Sequence, residues 1–283
     1  MPHPFRFGVS LLNPAPAEEW HAKCRRAEEL GYDVIHVPDH LGMVAPFPAL
    51  VAAAAVTERP RLGTLVLNAG FWNPTLLARE VATTDALTGG RLELGLGTGY
   101  VGAELEAAGL PFGSARERVD HLQRTVEELA HTSRVPLMIG GNGDRVLRLA
   151  AEHADIAAFG GAYADPQSTT GRLIPVTAEQ LDERVARYRK FAANREEPAE
   201  LNLLLQMVVV TEDRAAVVQP LLDRVPEVTL EQALALPVLL IGTLDRIVAQ
   251  VLAQRERYGF SYLTVLEPYM EAFAPVVAEL GGH

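Results

Sequence analysis

Thr88-Gly89-Gly90-Arg91-Leu92-Glu93-Leu94-Gly95-Leu96-Gly97-Thr98-Gly99-Tyr100 is the stretch on which the reading of the fold turns. Two glycines make a turn, Arg91 to Leu96 is a strand, and the glycine-rich run after it is the loop at the strand's end. Gly97 to Gly102 even satisfies G-x-G-x-x-G. A dinucleotide fingerprint needs that motif at the first strand-to-helix turn, with an acid at the end of the next strand. Here it follows roughly the fourth strand, and the next one, Val135 to Ile139, ends in Gly140. The glycines are therefore read as backbone that a flat ligand approaches closely.

The same alternation of strand and helix runs outward in both directions. Phe5 to Leu11 is a strand ending at Asn13-Pro14, and Asp33 to Val37 is a second, stopped by Pro38-Asp39-His40. Between them Ala17 to Leu30 carries Trp20, Cys24 and Ala27 on one helical stripe and ends at Gly31. Leu62 to Leu67, Asp155 to Phe159, Leu201 to Val210 and Tyr262 to Leu266 read as further strands. Pro74 to Leu87, Ala115 to Leu129, Asp144 to His153, Leu181 to Phe191, Leu244 to Tyr258 and Met270 to Leu280 read as helices, with more helix between Asp213 and Leu236. Ala162 to Pro175 reads as a long loop. Strands joined through helices run parallel, and about eight such units fit a closed (β/α)8 TIM barrel, one domain over residues 1–283. A doubly wound open sheet is the alternative, because the pattern does not show closure.

Composition narrows the function. The chain has 283 residues, 48% of them apolar, and a net charge of −11, which argues against nucleic acid or an anionic membrane as partner. A small local anion site is still allowed. One cysteine permits no internal disulfide, and Cys24 reads as a small buried hydrophobe. Met1 to Leu12 lacks a signal-peptide pattern, and no window of ~20 apolar residues is free of charge, so the expectation is a cytoplasmic protein. His121, His131 and His153 lack metal-ligand spacing, and there is no G-x-S-x-G nucleophile turn.

In a barrel the chemistry gathers where strands end. His40, after the second strand, is either a proton-handling side chain or a structural one, with Asp39 as its orienting partner or a helix cap. Asn68-Ala69-Gly70-Phe71-Trp72-Asn73-Pro74 reads as lining for a planar ligand or as a turn with a hydrophobic anchor. Gly140-Gly141-Asn142-Gly143 opens a helix at Asp144. Its free N–H groups make an anion site, helped by Arg145 and Arg148, unless it is a plain turn with Asn142 or Gly143 as cap.

Taken together, several stretches resemble the bacterial luciferase-like family. They are Ala27 to Asp33 leading into Val37-Pro38-Asp39-His40-Leu41, Arg61 to Thr64, Asn73 to Glu80, Thr88 to Gly99, Pro136 to Gly141 with Ala154-Asp155, and Leu240 to Thr243. The similarity is greatest to the branch of oxidoreductases that use coenzyme F420. The resemblance implies a luciferase-like (β/α)8 barrel, usually dimeric, binding F420 or alternatively FMN at its mouth and acting on a small-molecule substrate. It implies a cofactor contact at Leu67 and Asn68, where relatives often carry a non-prolyl cis peptide. It further implies contacts at Thr98, Gly99 and Tyr100, phosphate binding at Gly140, Gly141 and Gly143, and an active-site role for His40. FMN-dependent monooxygenation is the alternative chemistry, and a cofactor-free catalyst or binding protein the second alternative. Two departures stand out. Some F420 enzymes have an acid where Tyr100 stands, so acid-catalysed sugar oxidation is not expected. The link His131-Thr132-Ser133-Arg134 is short where relatives carry an insertion, which predicts an open mouth, a large substrate or loss of the cofactor.

Overall fold

The computed structural model describes residues 3–165, 172–223 and 229–282. Among them eight parallel strands, one to eight in chain order, form a ring. They are Arg6–Ser10, Val34–Val37, Arg61–Thr64, Leu92–Gly97, Leu137–Gly140, Ile156–Phe159, Glu200–Leu205 and Tyr262–Leu266. Strand eight closes it: Tyr262 stands opposite Asn202 of strand seven and Arg6 of strand one. That closure rules out the doubly wound sheet, whose edge strands stay open. Helices such as Ala17–Glu29, Pro74–Leu87 and Asp144–His153 cover the outside, packing Trp20, Cys24 and Val81 against outward strand residues such as Phe7, Ile35 and Leu263. Cys24 is fully buried, and burial pushes its thiol up to about 12, as befits a packing residue.

Several elements depart from the sequence reading, each for a physical reason. Helix Pro46–Ala54 was not anticipated because PFPALVAAA is apolar nearly all round and shows no amphipathic period. Helix Gly102–Ala107 is too short to show one. The run Leu201 to Val210 is two strands: Glu200–Leu205 stays in the barrel, while Met207–Val210 leaves it to pair in parallel with Leu239–Gly242, a strand the sequence reading omitted. Leu62 to Leu67 is likewise broken, into Arg61–Thr64 and Leu67–Asn68. Within Ala162 to Pro175 the ends pair as an antiparallel hairpin, Ala162–Ala164 with Leu173–Pro175, and residues 166–171 lie outside the described part. Residues 224–228 of the expected helical stretch also lie outside it.

Strand alternation sends every second residue into the barrel, and at the end where strands begin the charged Arg6, Glu93 and Glu200 stand beside Val34, Ile156 and Tyr262. Arg6 donates to Glu200 at 2.5 Å and to Glu93 at 2.7 Å, tying strands one, seven and four together. The Tyr262 hydroxyl donates to Glu93 at 3.0 Å and lies 2.8 Å from His36 Nε2. With that hydroxyl proton on Glu93, His36 Nε2 carries the ring proton and donates to Tyr262. Burial alone would raise the Glu93 carboxyl, but His36 and Arg6 beside it hold it at about 2. Burial pushes the His36 imidazole down, which keeps it neutral.

The short link before strand five lies at this same end. Ser133 and Arg134 join the end of helix Ala115–Thr132 to the start of strand five, and border a cleft with Leu94, Leu137 and Asp155. Helix-to-strand links in this architecture sit opposite the mouth. The link therefore does not open the mouth, and the expectation of an opening there is corrected.

Candidate active site

All eight strand ends contribute to a cavity of about 370 Å³ at the other end of the barrel. Ser10, Pro38 to His40, Leu65 to Asn68, Gly97 to Tyr100, Gly140 to Asn142, Ala158 to Gly160, Leu204 and Leu266 come from strands one to eight in turn. His40, Leu67, Asn68, Thr98, Gly99, Tyr100, Gly140 and Gly141 all border this space. Gly143 does not. It borders a neighbouring cleft between helices Ala115–Thr132 and Asp144–His153, together with Arg116, Asp120 and Arg145.

The floor is made by a break in strand three. The cis peptide joins Leu65 to Val66, two residues before the position the resemblance implied. Where the ladder is interrupted, the Thr64 hydroxyl accepts from the Gly95 N–H at 2.9 Å and donates to the Gly95 carbonyl at 2.8 Å. A Cβ on Gly95 would stand 2.0 Å from the Thr64 carbonyl oxygen, and one on Gly97 2.8 Å from Val66 Cγ2. These glycines thus make room for the chain's own bulge, and Gly97 also borders the cavity. Gly99 has a positive φ of 70°, and a Cβ there would lie 2.1 Å from Asn68 Oδ1.

Asp39 holds the same region together. Its carboxylate accepts from the Asn68 N–H and from Trp72 Nε1, both at 3.1 Å. Burial pushes this carboxyl up, while those two donors pull it down. Asp39 is thus committed to strand three and does not orient His40. Trp72 packs edge-on against Phe47, and the Asn73 side chain accepts from Thr75 and Leu76 N–H at the start of the next helix. Of that stretch only Asn68 borders the cavity; the remainder is the turn and anchor.

The residue that orients His40 is Glu104, which sequence reasoning missed. His40 Nδ1 lies 3.0 Å from both Glu104 oxygens. Its Nε2 lies 3.4 Å from the Tyr100 hydroxyl, the two rings meeting edge to face. A carboxylate only accepts, so Nδ1 carries the proton and Nε2 is left as the acceptor toward the cavity. Burial and the nearby Glu104 charge push the Tyr100 phenol up, so it stays a donor. Local sequence carried no signal for it: Glu104 stands on the short helix that opens at Gly102, the last glycine of the G-x-G-x-x-G run, and its pairing with His40 spans 64 residues.

At strand five, Gly143 caps helix Asp144–His153, whose first N–H groups are free of helical partners. The two arginines named with it are occupied elsewhere. Arg145 pairs with Asp120 at 2.5 Å, and Arg148 lies over the Phe191 ring. Any anion affinity at this turn is therefore a backbone property. Among the described residues no group of three or more His, Cys, Asp or Glu is placed to hold a metal, and no helix is long and apolar enough to cross a membrane.

Residues 2–135 match the family model described as luciferase-like monooxygenase. The barrel is luciferase-like. The chain is 39% identical over 112 residues to an F420-dependent glucose-6-phosphate dehydrogenase of Intrasporangium calvum. That alignment covers 36% of this chain and 34% of the relative, so the chain spans about a third of the relative's length. Among solved structures the luciferase-like barrel superposes on an F420-dependent secondary alcohol dehydrogenase in complex with an F420-acetone adduct. The TM-score is 0.77 at 14% identity, over 98% of this chain and 99% of that one. It superposes on a monooxygenase from Streptomyces bottropensis with a TM-score of 0.72 at 19% identity, over 97% and 99%. At such identities the likeness is one of fold.

Proposed function

We propose that this chain is an oxidoreductase that moves a hydride between coenzyme F420 and a small or medium organic substrate at the barrel mouth. The observation that carries the reading is the Glu104–His40 pair at the wall of the mouth cavity, with His40 Nε2, beside the Tyr100 hydroxyl, as the proton acceptor. The cavity suits a flat ring. Its floor is the apolar Leu65–Val66 bulge, and its sides include the backbone edges at Thr98 to Tyr100 and Gly140 to Gly141. Leu67, Asn68, Thr98, Gly99, Tyr100, Gly140 and Gly141 would hold the ring, and the helix start at Gly143 its phosphate.

Coenzyme F420, when bound, would supply the acceptor or donor of the hydride. In the direction of alcohol oxidation the substrate loses a hydride from carbon and the hydroxyl proton from oxygen, leaving a carbonyl. His40 Nε2 takes that proton. Glu104 fixes the ring's tautomer and balances the charge it acquires. The Tyr100 hydroxyl offers the substrate oxygen a second hydrogen bond. The names of the relatives support F420.

FMN-dependent monooxygenation is the second reading, favoured by the family description and by the Streptomyces bottropensis neighbour. Equilibrium titration with both cofactors, followed by ring fluorescence, tests the choice. F420 is expected to bind at least about tenfold tighter, a difference of ~1.4 kcal/mol. Tighter binding of FMN would shift the assignment to the monooxygenase. Binding of neither overturns both and leaves a cofactor-free protein on this scaffold.

A further inference from the structure

We propose that the substrate of this mouth is an uncharged, predominantly apolar molecule whose reacting oxygen faces His40, and that phosphorylated or otherwise anionic compounds are excluded. The identity of the reacting atom rests on the hydride-transfer reading; the polarity of the substrate rests on the walls. Among the described residues no lysine or arginine borders the cavity, whereas the carboxylates Asp39 and Glu104 do. Several cations on neighbouring elements are already paired. Lys23 lies 2.9 Å from both Glu19 and Glu267, Arg172 is bound to Asp165, and Arg184 donates to the Asn142 carbonyl and lies 3.9 Å from Asp144.

An anionic substrate inside this cavity, unlike a cofactor phosphate held outside it at the helix start at Gly143, loses hydration and faces the carboxylates Asp39 and Glu104 with no lysine or arginine among the described lining residues. Apolar surface is offered in its place. Leu12, Leu173, Leu204 and Leu266 border the cavity, and Leu41 and Met43, in the loop that follows His40, are exposed. Exposed large hydrophobic side chains at the edge of a concave site mark where an apolar ligand is received. The Intrasporangium calvum relative is named for a sugar phosphate. These walls lack the charge that such a substrate requires.

Calorimetry on the full chain tests this, with and without F420 present. The probes are cyclohexanol, cyclohexyl phosphate, glucose 6-phosphate and a series of 2-alkanones of increasing length. Cyclohexanol is expected to bind at least about a hundredfold tighter than its phosphate ester. Affinity for the alkanones should rise about fourfold for each methylene added. A phosphate ester that binds as tightly as the alcohol, an affinity independent of chain length, or no binding of any neutral probe overturns the proposal. F420 binding is scored separately by ring fluorescence. Failure of F420 to bind, with neutral probes still preferred, defeats the hydride-transfer reading alone. F420 binding with phosphate esters preferred defeats the substrate class alone.

Discussion

Replacing Glu93 by Gln removes the charge at the centre of the bottom layer, and the structure sets the size of the effect. Glu93 is 2% exposed and faces Arg6, His36 and Tyr262. Its carboxyl lies at about 2 against an ordinary 4.5. At roughly 1.4 kcal/mol per pH unit, that difference amounts to about 3 kcal/mol of folding stability. Breaking one side of a buried ion pair costs a similar amount, roughly 3 kcal/mol. Because the folded value lies below the free one, the contribution is complete above pH 4.5 and is lost as the pH falls toward 2. His36, pushed down by burial, adds to the acid sensitivity, while Glu200, pushed up by burial, opposes it. Urea unfolding at pH 7 should show E93Q shifted down by about 1 M, taking a slope near 3 kcal/mol per molar. Between pH 5 and 3 the wild type should lose stability more steeply than the variant. A variant within ~0.5 kcal/mol of wild type at pH 7, or the same pH slope for both, would refute the account of this layer.

Four further outcomes are expected. H40A should lower turnover by about a hundredfold or more while leaving F420 affinity within a few-fold, read from steady-state kinetics beside a fluorescence titration. E104Q should fall between H40A and wild type, because it keeps a hydrogen-bonding oxygen near Nδ1 but no charge; turnover equal to wild type would remove Glu104 from the mechanism. G99A should cost about 2 kcal/mol or more in thermal unfolding, since its Cβ would have to stand 2.1 Å from Asn68 Oδ1 at a positive φ. Inserting several flexible residues between Ser133 and Arg134 should leave cofactor affinity unchanged, because that link lies at the opposite end of the barrel from the cavity.

Local signals carried the helices. Asn73 with Pro74, and Gly143 before Asp144, mark helix starts that the structure places at those residues. Some strand ends were legible for the same reason: Pro38 and Gly140 mark where strands two and five stop, and both border the mouth, whereas strand four runs on through Gly95 to Gly97. What was hidden depends on contacts between distant residues. Glu93 and Glu200 look misplaced in apolar strands until closure brings Arg6 between them. Gly95 looks like a ligand contact until Thr64 and Val66 of another strand occupy its space. Asp39 precedes His40 in sequence, yet its carboxylate turns to Asn68 and Trp72, and the partner of His40 comes from 64 residues away. Adjacency along the chain was a poor guide to which carboxylate served which ring.

Closure by strand eight bears on how the protein is made. Tyr262–Leu266 inserts between strands one and seven, and Glu267 just beyond it accepts the Leu12 N–H at 2.7 Å. A ribosome must therefore deliver strand eight, more than 250 residues after strand one begins, before either flanking edge is covered. Until then both edges remain open to pairing with other chains, a hazard for nascent parallel sheets. The rim at Leu12 and Leu266 is also completed last, so a ligand of the mouth meets its site only on finished barrels. By mass action its presence during synthesis draws the population toward completion.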